Sequence, residues 1–356
     1  MSTVKSRPGV CIAPPPPQVI VKLRNWLKGL SFFSKMLNND NMIVPFVLAP
    51  MAELSHRALR ELIEGFCGAD EYYTEMISAG ALTSGGPFEA WYLDSGPCPE
   101  KLVYQVVGSS ADQILRAVTL LNQRECLGID INMGCSAPAI KRTGAGVFWM
   151  ADAEKAADLI RRLRPETGRR LSVKLRTGLT DDFENLVRFC RRLEEQGLDL
   201  ITLHPRTAKE KFKRKARWDY ISALKKELRI PVAGNGDIAS APEMLRRGEE
   251  CDAVMIGRLA VRRPWVFAEA KKAQGTASVS DDTLLEETGL RFLDFLSRYQ
   301  PPEFHISRAR RFFSYFCDNL KWGNHVKNLL NRETSLSGIE RAWREHFIKE
   351  VPIACI

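Results

Sequence analysis

Ile43-Val44-Pro45-Phe46-Val47-Leu48-Ala49-Pro50-Met51 is the first long strand-like run of the chain, and the way it ends decides the fold. An open, doubly wound sheet carries a glycine-rich phosphate turn after its first strand. Here the run ends in Ala49-Pro50-Met51, with no GxGxxG. From Ile43 to Ala273, short apolar strand candidates alternate with helical segments. Strands are expected at 43–49, 71–76, 101–107, 127–132, 171–176, 198–204, 230–234 and 252–257. Helices are expected at 55–65, 111–123, 152–164, 182–195, 218–227 and 241–248, while the 77–100 connection is irregular. Eight such strands predict an α/β fold of the closed (β/α)8 TIM-barrel kind.

Beyond residue 280 the strand pattern stops. Segments 283–299, 305–321 and 338–348 have helical periodicity, with Pro301-Pro302 separating the first two. The expected organisation is therefore a partly disordered N-terminal arm (1–42), a barrel (43–275) and a small all-helical C-terminal domain (281–356).

Composition narrows the function classes. Hydrophobic residues make up 45% and charged residues 27% of 356 positions, as in an ordinary globular protein. Nine cysteines without CxxC spacing and only five histidines give no expectation of a metal site. Reduced thiols and a cytoplasmic location are the simplest expectation. No apolar run is long enough to span a membrane, and Pro14 to Pro17 stand where a signal peptide needs its apolar core. The net charge of +9 is concentrated: residues 1–42 and 209–217 (KEKFKRKAR) each contribute +5, and the remainder sums to −1. Two basic patches on a nearly neutral body fit a polyanionic partner, with a solvated basic face as the alternative.

In a barrel, chemistry collects at the C-terminal ends of the strands. Reading those ends in order gives Ala49-Pro50-Met51, Glu75-Met76, Gln105, Asn132 to Cys135, Lys174 with Arg176, His204 with Arg206, Asn235-Gly236-Asp237, and Gly257-Arg258. Cys135 lies on a Gly/Pro-bent loop, Asn132-Met133-Gly134-Cys135-Ser136-Ala137-Pro138, where a reactive thiol and a bland turn are both open readings. Lys174, between Val173 and Leu175, points to the face opposite its apolar neighbours. That suits either an anionic ligand or a structural ion pair. Asn235-Gly236-Asp237 and Gly257-Arg258 follow the last two strands, a frequent phosphate position in barrels.

This ordered set resembles the tRNA-dihydrouridine synthases, flavoproteins with an FMN-binding barrel and a helical C-terminal domain. The resemblance is carried by LAPMAELSHRALR (48–60), YTEMISAGAL (73–82), YQVVG (104–108), DINMGCSAPAIKRTGAG (130–146), VKLRTG (173–178), LHPRT (203–207), ARWDYI (216–221), GNGDI (234–238) and DAVMIGRLA (252–260), and more weakly by SRARRFFSYFCDNLKW (307–322). It implies FMN as cofactor, NADPH as reductant, and RNA, most often tRNA, as substrate for uridine-to-dihydrouridine reduction. Reduced FMN would deliver hydride to uracil C6, and Cys135, as a neutral thiol, would deliver the proton to C5.

By the same resemblance, Ala49, Pro50, Met51, Gln105, Lys174 and His204 would cradle the isoalloxazine and ribityl chain. Asn235, Gly236, Asp237, Gly257 and Arg258 would surround the flavin phosphate. Asn132, Arg176 and Arg206 would meet the substrate or flavin, and Lys211, Lys213, Arg214 and Lys215 would hold RNA phosphates. The helical domain would help bind RNA, and the protein is expected to be a monomer. Three positions depart from the family pattern: Ser136 and Pro205 where Pro and Gly are usual, and Leu259 where Gly is usual. Leu259 is expected to narrow the phosphate pocket. The rival readings are an FMN barrel reducing a small molecule, or a non-catalytic RNA-binding barrel.

Overall fold

The computed structural model describes residues 44–276 and 285–350, with side chains to 348. The N-terminal arm expected over 1–42 lies outside the described residues. Eight parallel strands close into one barrel, each paired with the next and β8 with β1. They are β1 (Phe46–Leu48), β2 (Glu71–Ser78), β3 (Leu102–Val107), β4 (Gly128–Met133), β5 (Arg170–Gly178), β6 (Leu200–Thr207), β7 (Val232–Asn235) and β8 (Ala253–Ile256). Leu48 pairs with Ile256 at the closing seam, so no strand edge is left for another chain.

Strand alternation divides the side chains between two cores. Val47, Ala49, Tyr73, Val103, Leu200, Ala233, Ala253 and Met255 form one apolar cluster. Phe46, Leu48, Ile129, Ile131 and Val173 belong to the larger core with the surrounding helices. The expected helices form at Arg57–Glu64, Ala111–Leu121, Ala153–Leu163, Phe183–Glu194, Trp218–Glu227 and Ala241–Gly248. Ser110, Asp152, Asp182 and Ser240 each accept a first-turn N–H at the start of one of them. The irregular 77–100 connection folds into two short helices, Ala79–Ser84 and Glu89–Tyr92, and a 3-10 turn.

The C-terminal unit contains helices Leu285–Tyr299, Pro302–Phe316, Gly323–Arg332 and Leu336–Glu350. The third was not anticipated. Its apolar positions (Val326, Leu330) are few, and its register shows only once Trp343 and the phenylalanines gather beside it. Phe292, Phe312, Phe313, Phe316 and Trp343 fill this unit's centre, with Phe292 stacked on Phe312 at 3.7 Å. Gly289 makes the approach possible, because a Cβ there would stand 2.4 Å from the Trp343 indole.

The unit is tied to the barrel by a buried ion pair, Arg308 Nη2 to Glu75 Oε2 at 2.9 Å, and by Asn319 Nδ2 donating to the Arg262 carbonyl at 2.6 Å. Among the described residues no helix is long and apolar enough to cross a membrane.

Candidate active site

A cavity of about 460 Å³ opens at the C-terminal ends of the strands. Its lining includes Ala49, Pro50, Met51, Asn132, Cys135, Lys174, Arg176, His204, Asn235, Gly236, Asp237, Gly257 and Arg258. Every strand-end segment singled out from the sequence meets there except that of β3. Gln105 is fully buried beneath the cavity and spends its amide on Asp130 and Asn132. It supports the floor without lining it.

The cysteine loop is held from several sides. Asn132 Oδ1 accepts the Cys135 N–H at 2.9 Å, and the Cys135 carbonyl accepts the Val147 N–H at 3.0 Å. Gly146, at φ +63°, brings its backbone so close that a Cβ would lie 2.4 Å from the Cys135 oxygen. Only glycine fits there. Cys135 is half-buried and its thiol is free.

The cavity wall is strongly cationic. Lys174 has no ion pair among the described residues, and burial, reinforced by the Arg176 charge, pushes its ammonium down to about 8. Arg176 Nε donates to the Gly134 carbonyl at 3.1 Å and its Nη1 to the Lys211 carbonyl at 3.2 Å. It therefore staples the cysteine loop to the basic loop. Burial and the surrounding charges of Lys174, Arg176, Arg206 and Arg258 hold His204 well below its usual range, so its ring is neutral. An Arg206 N–H meets His204 Nε2 at 2.9 Å. A guanidinium only donates, so the His204 proton resides on Nδ1.

Arg206, expected to touch substrate, is buried and committed elsewhere. It pairs with Asp237 at 2.5 Å and donates to the Arg214 carbonyl at 2.5 Å. Asp237 also faces Arg258 at 3.6 Å. Burial is the largest single influence on its carboxyl, yet the Arg206 and Ala216 hydrogen bonds and the Arg206 and Arg258 charges together hold it below the usual range. Arg206 thus anchors the loop that carries Lys211, Lys213, Arg214 and Lys215, all four exposed.

The turns after β7 and β8 leave backbone donors open. Among the described residues, the N–H groups of Gly236, Asp237, Gly257 and Arg258 meet no protein acceptor. Gly236 sits at φ +126°, where a Cβ would press on His204 and Ala216 at 3.0 Å. By contrast, the N–H groups of Ala49 and Met51 are spent on Ile256 O and Ser55 Oγ, and Pro50 has none. That stretch offers apolar surface, not donors.

Three lining residues with aromatic or charged side chains were missed. Phe212, 60% exposed at the tip of the basic loop, lies 4.9 Å from the Arg258 guanidinium and 5.8 Å from that of Arg176. The aromatic inside KEKFKRKAR was a visible signal. Arg311 and Tyr315 come from the helix Pro302–Phe316, whose Arg308 holds Glu75. Residues 308, 311 and 315 share one helical face, but nothing local in the sequence says that this face meets the barrel.

The profile of the dihydrouridine synthase (Dus) family matches residues 47–350. The chain belongs to the dihydrouridine synthase family. It is 35% identical over 263 residues to a probable tRNA-dihydrouridine synthase of Aquifex aeolicus, covering 71% of this chain and 81% of that one. A tRNA-dihydrouridine synthase B of Xanthomonas axonopodis is 27% identical, covering 85% of this chain and 92% of its own.

The chain's three departures from its family pattern find local explanations. Pro138 takes the first turn of the short helix Pro138–Arg142, where its missing N–H is unneeded. The β5–β6 register slips between the pairs Arg176–His204 and Gly178–Thr207, so Pro205 falls where the ladder is already interrupted. Leu259 turns into the core, 4% exposed, and does not line the cavity. The expected narrowing of the phosphate pocket is therefore corrected.

Proposed function

We propose that this protein reduces uridine to 5,6-dihydrouridine in transfer RNA, with FMN as cofactor and NADPH as the reductant. The observation that carries the reading is the shared cavity: among the described residues, a free thiol, a half-buried ammonium in no ion pair and two turns with open N–H groups line one space.

The residues fit a flavin mononucleotide. The open N–H groups of Gly236, Asp237, Gly257 and Arg258, with the Arg258 side chain, suit its phosphate. Lys174 suits the electron-rich edge of the ring system, and the apolar surface of Ala49 to Met51 suits its face. When bound and reduced, the flavin supplies hydride to C6 of the uracil ring.

The chain's own groups do the rest. Cys135 donates its thiol proton to C5 from a loop fixed by Asn132, Arg176 and Gly146. Asn132 and neutral His204, a donor through Nδ1, give polar contacts without adding charge beside the reacting bond. Arg176 keeps the cysteine loop and the RNA-facing loop in register. An extruded base costs a few kcal/mol of unstacking. Phosphate contacts from Lys211, Lys213, Arg214 and Lys215 offset that cost, as do Arg311 and Tyr315 from the helical unit.

The test is a visible absorbance spectrum of the purified protein, followed by nucleoside analysis of tRNA incubated with it and NADPH. A flavin band and new dihydrouridine are expected. A colourless protein that cannot be loaded with FMN would refute the reading.

A further inference from the structure

Beneath the cavity, four buried side chains form a continuous hydrogen-bonded line that ends on the cysteine loop. Ser172 Oγ on β5 donates to Asp130 Oδ1 on β4 at 2.6 Å, and Gln105 Nε2 on β3 donates to Asp130 Oδ2 at 2.7 Å. Asn132 Nδ2 donates to Gln105 Oε1 at 2.9 Å, while Asn132 Oδ1 accepts the N–H groups of Gly134 and Cys135 at 3.2 and 2.9 Å. Ser172, Asp130 and Gln105 are wholly buried, so water has no access to exchange these partners.

The order of donors and acceptors is forced from both ends. Backbone N–H groups only donate, so Asn132 must turn its oxygen to the loop and its NH2 to Gln105. Gln105 must then turn its oxygen to Asn132 and its NH2 onward. That NH2 needs a pure acceptor, and a carboxylate is one. The two amides have one self-consistent arrangement, and the residue at position 130 selects it. A donor at that position would flip Gln105 and leave two oxygens or two NH2 groups facing each other in a dry core, where unsatisfied polar groups are costly.

We propose that Asp130 is a positioning residue, whose acceptor-only carboxylate fixes the orientation of Gln105 and Asn132 and thereby the place of the Cys135 loop at the cavity wall. The catalytic consequence rests on Cys135 being the proton donor; the hydrogen-bond order does not. The carboxylate is raised to about 6 by burial, and it lies within the field of Lys174 and Arg170. A charge role therefore has to be separated from an orienting one.

Asparagine at position 130 makes that separation. Asp130→Asn removes the charge, yet its carbonyl can still accept from Gln105 while its NH2 faces the Ser172 hydroxyl. Asp130→Leu removes both. In flavin-loaded protein, Asp130→Leu should lower kcat by about tenfold to a hundredfold with KM for tRNA unchanged, and Asp130→Asn should restore most of the loss. Equal damage by Asn and Leu would overturn the proposal.

A second set of variants does not depend on turnover. Asn132→Asp puts an acceptor-only group at each end of Gln105, which frustrates the line. Adding Asp130→Asn reverses the two bonds of Gln105, leaves the Ser172 hydroxyl and the loop N–H groups donating as before, and makes the line consistent again. The double variant should melt above Asn132→Asp alone, although it carries one more substitution; melting at the sum of the two single losses would overturn the proposal. Cys135→Ala separates this from the proposed chemistry. If that variant stays active, the thiol's role fails while the melting pattern still decides the role of Asp130.

Discussion

Replacing Lys211, Lys213, Arg214 and Lys215 together by Gln isolates the electrostatic part of RNA binding. All four are exposed and have no ion pair among the described residues, whereas Arg217 in the same run is already neutralised by Glu210 at 2.7 Å and Asp181 at 2.8 Å. With Lys209, also exposed and in no ion pair among the described residues, these four cations are free to displace counterions. Each phosphate contact contributes about 0.7–0.9 to the slope of log affinity against log salt, so losing four should flatten that slope by about 3. Across a fourfold rise in salt, the unaltered protein should then lose about 60-fold more affinity for tRNA than the variant. Fluorescence anisotropy of a labelled tRNA against flavin-loaded protein, repeated over a salt series, reads this directly. The loop is anchored by Arg206 and Arg176, which are untouched, so its fold and the flavin site should survive. Parallel salt plots for the two proteins would make the run a solvated face and refute the reasoning.

Other consequences follow from the same geometry. Lys174 is cationic below about 8 and neutral above it, so affinity of the apoprotein for FMN should be flat at lower pH and fall as pH rises through 8, by up to about tenfold per unit. Titration of Lys174→Met should lack that fall, and an identical fall in the variant would rule out the ammonium as its source. Arg308→Leu strands a buried carboxylate at Glu75 and should cost about 3–5 kcal/mol in denaturant unfolding, with Glu75→Gln recovering part of it in the double variant. Additive losses would mean the pair does not hold the helical unit to the barrel. Arg311→Gln should raise KM for tRNA while leaving flavin content unchanged; an unaltered KM would remove the helical unit from the substrate's path.

The barrel was legible because its signals are local and repeated. Each strand is a short apolar run, each ends in a polar or glycine-bearing turn, and closure follows from the number of runs and the missing glycine-rich turn after Leu48. The cavity wall was legible for the same reason, since strand ends converge in any closed parallel barrel. What the sequence hid depends on tertiary pairing. Gln105 and Arg206 occupy strand-end positions but turn their polar groups to Asp130, Asn132 and Asp237, and no spacing rule distinguishes such partners from a ligand. Arg311 and Tyr315 lie on an amphipathic helix whose barrel-facing side is set by the Glu75–Arg308 pair, across more than two hundred residues of chain. Leu259 stands in a motif position, but its side chain follows the apolar face of its short helix into the core.

The most direct test of the central claim is nucleoside analysis of tRNA after incubation with NADPH and flavin-loaded protein, native and Cys135→Ala in parallel. The account predicts dihydrouridine from the native protein and almost none from the variant, with equal bound flavin in both. Equal dihydrouridine from the two, or none from the native protein on any tRNA, would contradict it.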